Sequence, residues 1–443
     1  MFESLKNAWK VADLRKKLLF TLMIIVIYRI GANLPVPYIN QTAIETFQKA
    51  SSGGFFAYLN LFSGSAFSRA TLFALGVQPA ITASIVMQLL TIAIPALEKL
   101  SKDGDAGRAK IDKITRYVTV ALALVTAIGY YQLMNSYGIL NENTGWFGMI
   151  VIIVSLVAGS SLVMWLGERI DNYGIGNGIS MILFANIVSR IPTTVGTLIS
   201  YIRGEATMTN AAGETVNIPT WTGIIIAVGT VILAIAMVGF IVWMTNSERR
   251  IPIQYAKRVV GRKMYGGQSS NLPIKVNMVG VMPIIFASSI VSIFPTIRMF
   301  AQPAEGSFWD RFLGAFDTNS VLYIVLTFAL LIFFAYFYTS ISFNPTEISN
   351  NIKQNGGSVP GIRPGVATTN YIKKILSRVT FIGAILLSVV AVVPMIINLA
   401  TGGMLSTLAF AGSSVIIIVG VILETVRDLE AQLAMRNYKG FLG

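Results

Sequence analysis

The chain has no cysteine and no histidine. The first absence excludes disulfides and thiol chemistry; the second removes imidazole as metal ligand, proton shuttle or general base. Charge is scarce too. Asp, Glu, Lys and Arg make up 12% of the 443 residues, about half of what soluble globular proteins carry. There is no GxxxxGK[ST] loop, and the Gly174-Ile175-Gly176-Asn177-Gly178 run follows an apolar span rather than a strand, so no phosphate cradle is expected. Nor does a small-residue cleavage site follow the first apolar run, which comes after a basic start, so no cleavable signal is expected.

What fills the chain is apolar: 54% hydrophobic residues, with a mean hydropathy of +0.67. That composition indicates an all-α polytopic membrane protein. Candidate spans lie at about 18–34, 71–94, 117–137, 146–166, 176–202, 221–244, 276–296, 320–343, 375–399 and 404–423, each near the 17–25 residues that a crossing helix needs. Arg190 and Pro192 interrupt the fifth. Placing the amino terminus, the loops after even-numbered spans and the tail on one side gives that side 27 of the 34 Lys and Arg residues. Both termini are therefore expected in the cytoplasm. Trp146 and Trp221 at outer span ends, and Trp165 and Trp243 at inner ends, fit interfacial belts. The polar stretch Arg203–Pro219 divides the chain into halves at 1–205 and 206–443. Five is odd, so two similar five-span halves would be inverted relative to one another; span count alone carries this reading.

The stretch Gly53–Pro95 organises the rest. Phe55–Phe67, with Phe55, Phe56, Leu59, Leu61, Phe62 and Phe67 as its bulky apolar residues, would reach only about 20 Å as a helix, short of a core of about 30 Å. In the following span Ile81, Ile85 and Gln88 stand at i, i+4, i+7 on one stripe. A glutamine is costly against lipid, so the stripe faces protein or water and the isoleucines line something. The short segment beside them is placed to stopper it. Leu183, Ile187 and Arg190 repeat the arrangement; Ile285 shares a stripe with Ser289 and Ser292, and Ile417 lies near Ser413 and Glu424. Ordinary helix packing produces the same spacing, so both readings stand at this point.

Span interiors are nearly free of acidic groups, which ion-coupled transporters and pumps require. The chain carries no engine of its own. Two cytoplasmic loops are long, at 246–275 and 344–378. The first holds Arg249, Arg250, Lys257 and Arg258, and its Ile251–Tyr255 and Lys257–Met264 stretches suggest a hairpin. In the second, Pro360 and Pro364 brace Arg363 on a stiff turn. Basic projections suit RNA phosphates or an acidic protein surface, while topogenic charge explains them equally well.

The second span with its preceding segment, the run GERIDNYGIGNGIS (Gly167–Ser180), the Glu248-Arg249-Arg250 triplet and NPTEISNNIKQNGGSVPGIRPG (Asn344–Gly365) resemble the SecY family. The resemblance covers all ten spans. It implies a passive channel of the bacterial cell membrane that conducts unfolded polypeptides, with an hourglass pore between two inverted five-helix halves. It further implies a pore ring of Ile81, Ile85, Leu183, Ile187, Ile285 and Ile417, a plug at about 55–67, and a lateral gate between the second and seventh spans. Thr82, Ser84, Gln88 and Asn277 would supply the gate's polar contacts. Leu183 stands where isoleucine is usual in relatives. Implied partners are SecE and SecG in the membrane, the SecA ATPase, the ribosome, signal sequences and lipid. A solute transporter is the alternative from another class, opposed by the absence of a buried mid-depth carboxylate. A membrane scaffold is a third, opposed by the plug-like segment and the polar stripes.

Reporter fusions after Lys102, Gly267 and Gly356 should report cytoplasm, and fusions at Gly213 and Gly306 the outside. An inverted signal at Gly213 would break the five-plus-five plan.

Overall fold

Proline placement decides where helices begin. Pro79, Pro192, Pro283 and Pro345 each occupy the first turn of a helix, where the fixed φ suits the helix and the missing N–H is an orphan anyway. Pro95 opens the helix Pro95–Lys102, and the residue before it, Ile94, is extended, as a proline demands of its predecessor. The chain therefore bends by 101° between Gln78–Ala93 and Pro95–Lys102.

The computed structural model describes residues 2–50, 54–141, 144–205, 207–209, 215–217, 219–255, 258–260, 263–265, 269–278, 280–301, 303–304, 306–317, 320–401 and 411–439. Each of the ten apolar runs contributes helix. The first gives Ala12–Gly31, the third Gly104–Ser136, the fourth Trp146–Tyr173 and the sixth Thr220–Asn246; the eighth gives Val321–Ser342 and the ninth Val366–Ala400. Among the described residues six helices are long and apolar enough to cross a membrane, or seven if the bent pair counts as one. The others fall short for stated reasons. Ala12–Gly31 carries Arg15, Lys16, Lys17 and Arg29, and the seventh is divided at Ser292 into Met282–Val291 and Ile293–Ala301. The tenth is described only from Ala411 and runs on to Lys439 through a charged tail.

Several boundaries differ from the sequence reading. The second helix starts at Gln78, and 71–77 are turns. The expected loop at Lys99–Arg116 is helix, since Gly104–Ser136 extends beyond its apolar part. The fifth span comprises Gly178–Val188 and Ile191–Arg203, which together still make one crossing. Pro192 begins the second piece instead of breaking the first.

The long loops also pair differently. Glu248–Tyr255 runs antiparallel to Ser269–Lys275, from Glu248 opposite Lys275 to Gln254 opposite Ser269, and Gly357–Ser358 adds a third strand. Lys263–Tyr265 instead closes a small separate hairpin with Arg258–Val260. Burial selects this register. Ile251, Ile253 and Ile274 pack with Ile352, Val359, Ile372 and Leu376, so one apolar core joins both loops to the ninth helix.

Several seams join the first five spans to the last five: the fifth packs on the sixth and the tenth, and the third on the seventh. At the tenth helix polar pins add to the apolar packing: Asp428 Oδ2 accepts from Gly176 N at 3.3 Å, Thr425 Oγ1 donates to Met181 Sδ at 3.7 Å, and Lys17 Nζ of the first helix donates to Gln432 Oε1 at 3.1 Å. At another seam the second helix meets the seventh and eighth.

Gly159 of the fourth helix lets the 71–77 turn approach. A Cβ there would lie 2.0 Å from the Leu72 carbonyl oxygen. Gly159→Val should therefore lower stability by about 1–3 kcal/mol, read as a lower melting temperature in detergent, whereas Gly196→Val, with open space around it, should cost much less.

Candidate functional site: a buried aliphatic cluster and the short helix beside it

The two stripes on the second and fifth helices converge. Ile81, Ile85, Leu183, Ile187, Ile285 and Ile417 come from four helices, none exposes more than 4% of its surface, and all belong to one apolar cluster. Ile416 is equally buried in the same cluster. Aliphatic side chains present no fixed polar site there.

The segment before the second helix does form a helix, but it is Gly54–Ser63, not 55–67. Gly64 and Ser65 then take positive φ (63° and 69°) and turn the chain, so Phe67 lies beyond the helix. Leu61 and Phe62 join the cluster of the six aliphatics, and Leu59 bridges to a second cluster nearby. Phe56 and Phe67 pack in that second cluster around Phe47 and Tyr130. Phe55 is on the helix; its side chain lies outside the described residues. The turn satisfies its own backbone: Ser63 Oγ accepts from Phe67 N at 3.1 Å, Asn60 Oδ1 from Ser68 N at 2.9 Å, and the Tyr130 hydroxyl donates to the Phe67 carbonyl.

The polar residues of the second–seventh seam mostly turn inward on their own helices. Thr82 Oγ1 donates to the Gln78 carbonyl at 3.1 Å; Ser289 and Ser292 bond within the seventh helix. Between them lies a cavity of about 310 Å³, also lined by Phe62 and Phe67. Ser84 accepts from Gln88 Nε2 at 3.2 Å, and Gln88 Oε1 accepts from the hydroxyl of Tyr338, on the eighth helix rather than the seventh. Tyr338 in turn packs against Phe286 of the seventh, ring centroids 4.9 Å apart. Asn277 precedes the seventh helix and lines a small cavity with Thr339 and Thr380 of the eighth and ninth.

Two residues escaped the sequence reading. Tyr338 sits in an aromatic run that gives no signal. Asn186, fully buried, donates Nδ2 to the Phe62 carbonyl at 2.7 Å and to the Tyr28 hydroxyl at 2.9 Å. A lone amide in an apolar helix, judged as Gln88 was, marks it.

On the sheet formed by the two long loops Arg249 and Arg250 are exposed, and Arg250 Nε pairs with Glu248 Oε1 at 2.7 Å. Partial burial, with repulsion from Arg427, holds the Lys275 ammonium below the ordinary lysine range despite Glu248 nearby. Arg258 opens the small hairpin, and Lys257 lies outside the described residues. Arg363 is exposed between Gly361 and Gly365 (φ 78° and 101°). Its carbonyl accepts from Thr368 Oγ1 at 2.9 Å, and that of Gly365 from Ser349 Oγ at 3.0 Å. That turn is stiff.

Residues 71–426 match the SecY family model. A protein translocase subunit SecY from Mycobacterium bovis is 41% identical over 460 residues, and one from Streptomyces scabiei 42% over 455, each pair covered in full. Among solved structures, a protein-conducting channel aligns with a TM-score of 0.62 at 18% identity, covering 94% of this chain and 92% of that one. The channel of a canine ribosome–channel complex from the endoplasmic reticulum aligns at 0.59 and 17%, over 94% and 92%. At such identities the structural likeness is one of fold. Joined to the family match and the full-length relatives, it leaves one conclusion: the chain belongs to the SecY family.

Proposed function

We propose that this chain is a passive protein-conducting channel. It passes unfolded secretory polypeptides across the bacterial cell membrane and releases signal sequences and membrane helices sideways into lipid. The observation that carries the reading is burial: six aliphatic side chains from four helices lie in one large apolar cluster together with Leu61 and Phe62 of a short helix beside it. An extended polypeptide must cross while ions do not. A flexible aliphatic ring deforms around any sequence, and a narrow apolar gap resists wetting when idle. Gly54–Ser63 acts as the plug on that ring.

The two halves, 1–205 and 206–443, are inverted repeats around an hourglass pore, with both termini cytoplasmic; the 27 to 7 division of Lys and Arg supports that orientation. The lateral gate lies where the second helix faces the seventh and eighth. A signal sequence is an apolar helix whose equilibrium favours lipid, so parting that seam gives it an exit. The cavity lined by Thr82, Ser289 and Ser292 leaves room there, and Gln88 with Tyr338 clasps the seam.

The chain has no nucleotide loop, so the driving force comes from outside: the SecA ATPase or a translating ribosome docked on the basic residues Arg249, Arg250, Lys257, Arg258 and Arg363, of which Arg249, Arg250 and Arg363 are exposed. A ribosome-bound channel among the structural neighbours supports the second. SecE and SecG complete the complex in the membrane, as the family implies. The polypeptide is cargo, not substrate; the chain is no enzyme.

Paired changes such as Ile85→Ser with Ile187→Ser, or Ile81→Asn with Ile285→Asn, should raise resting ion conductance in planar bilayers. The same swaps at Ile225 and Ile226 of the sixth helix should not. Equal tightness of both sets would make the stripes packing alone.

Tyr338→Phe removes one hydrogen bond across the gate, worth about 0.6–2 kcal/mol in a membrane. It should admit preproteins with weakened signal sequences severalfold faster in reconstituted vesicles while leaving strong signals unaffected. Uniform rates for both would sink the clasp.

A further inference from the structure

Asn186 follows Leu183 and precedes Ile187, yet it faces neither lipid nor the other ring residues' apolar chemistry: its carboxamide joins three elements. Nδ2 donates to the Phe62 carbonyl of Gly54–Ser63 and to the Tyr28 hydroxyl of the first helix. Tyr28 is itself fully buried and stacked on Phe73, with centroids 5.5 Å apart. The Phe62 carbonyl belongs to the last turn of its helix, where carbonyls have no intrahelical partner. Asn186 Oδ1 and Arg29 Nη1 are buried atoms with no hydrogen-bond partner among the described residues. Both lie 2.6 Å from the point that a Cβ on Gly64 would occupy. Gly64, at φ 63°, thus threads the plug's exit turn beside an acceptor and a cationic donor. The arrangement also fixes the amide's orientation, NH₂ toward a carbonyl and oxygen toward a guanidinium.

We infer that Asn186 is the latch of the plug, and that it works by exchange between two partners. This rests on reading Gly54–Ser63 as the plug. With the plug seated, Asn186 holds the Phe62 carbonyl. When the plug leaves, Gly64 leaves with it, and the Arg29 guanidinium closes on Asn186 Oδ1. The carboxamide then keeps a charge-assisted bond in the apolar layer instead of being stranded. The two residues therefore act in opposite senses: Asn186 favours the seated state through Phe62, and Arg29 favours the displaced one.

The test uses the complete membrane complex. In planar bilayers without preprotein, Arg29→Leu should lower the frequency of idle openings below the parent. In that Arg29→Leu background, where only the bond to the seated plug is left to lose, Asn186→Leu should raise it about tenfold, the weight of one buried hydrogen bond, with unit conductance unchanged. Tyr28→Phe and Gly64→Ala leave Asn186 in place and should each raise it, which covers the case that Asn186→Leu folds poorly. Because the chain has no cysteine, Leu61→Cys gives a single labelling site. A membrane-impermeant maleimide added outside should react faster when Asn186→Leu is added to the Arg29→Leu background than with Arg29→Leu alone. With residues 54–63 deleted, Asn186→Leu should add nothing.

An additional leak in that deletion would mean that Asn186 acts through ring packing, and the inference falls. Deletion that raises openings while Asn186→Leu changes neither openings nor labelling in the Arg29→Leu background would overturn the latch but keep the plug. Openings that rise with Arg29→Leu would overturn the exchange. A deletion with no effect on idle openings would overturn the plug reading and the latch together.

Discussion

A backbone that leaves the helix inside a membrane must find a partner for each amide it frees, because lipid offers none. Between Ser63 and Gln78 the structure shows how such groups are answered. The Phe67 carbonyl accepts from Tyr130, Phe62 from Asn186, and the N–H groups of Val36 and Leu72 are answered by Ala70 and Leu34 carbonyls. Much else depends on this non-helical stretch. It shortens the second helix to Gln78–Ala93, brings Gly54–Ser63 against the aliphatic cluster, and requires glycine at 159 so that two backbones can touch.

The same stretch explains what the sequence made legible and what it hid. All ten apolar runs were readable, because length and hydropathy are all that a lipid-facing helix needs. Residues 71–77, Thr-Leu-Phe-Ala-Leu-Gly-Val, are as apolar as the helix after them, so composition could not tell turn from span; Pro79 in the first turn was the available clue. Helical periodicity placed Ile81 with Ile85 and Leu183 with Ile187 on shared faces, and all four lie in one cluster. It could not say that Gln88 reaches the eighth helix, since partners across a seam are set by tertiary packing. The strand pairing failed for a related reason. Both 257–264 and 269–275 are plausible partners for 248–255 locally, and the burial of Ile274 against residues of another loop decides between them.

The arginines of the long loops gain from that same packing. Ile352, Val359 and Ile372 tie the 344–378 loop to the strands of 248–275, so Arg249, Arg250 and Arg363 project from one apolar-cored body instead of two independent flexible loops. A docking partner meeting such a surface loses less conformational entropy on binding than one that must order each loop separately.

Two of the seams between the halves differ in kind. Asp428, Thr425 and Gln432 pin the tenth helix to the fifth span, its preceding turn and the first helix through separate polar contacts, while Tyr338 and Gln88 meet across the other seam. Relative rotation of two rigid bodies displaces points in proportion to their distance from the axis. If the axis runs along the pinned seam, a tilt small enough to keep those contacts within reach becomes a wide separation at the far edge. The fold is then a lever: a modest torque between the two halves is traded for travel at the seam of Gln88 and Tyr338.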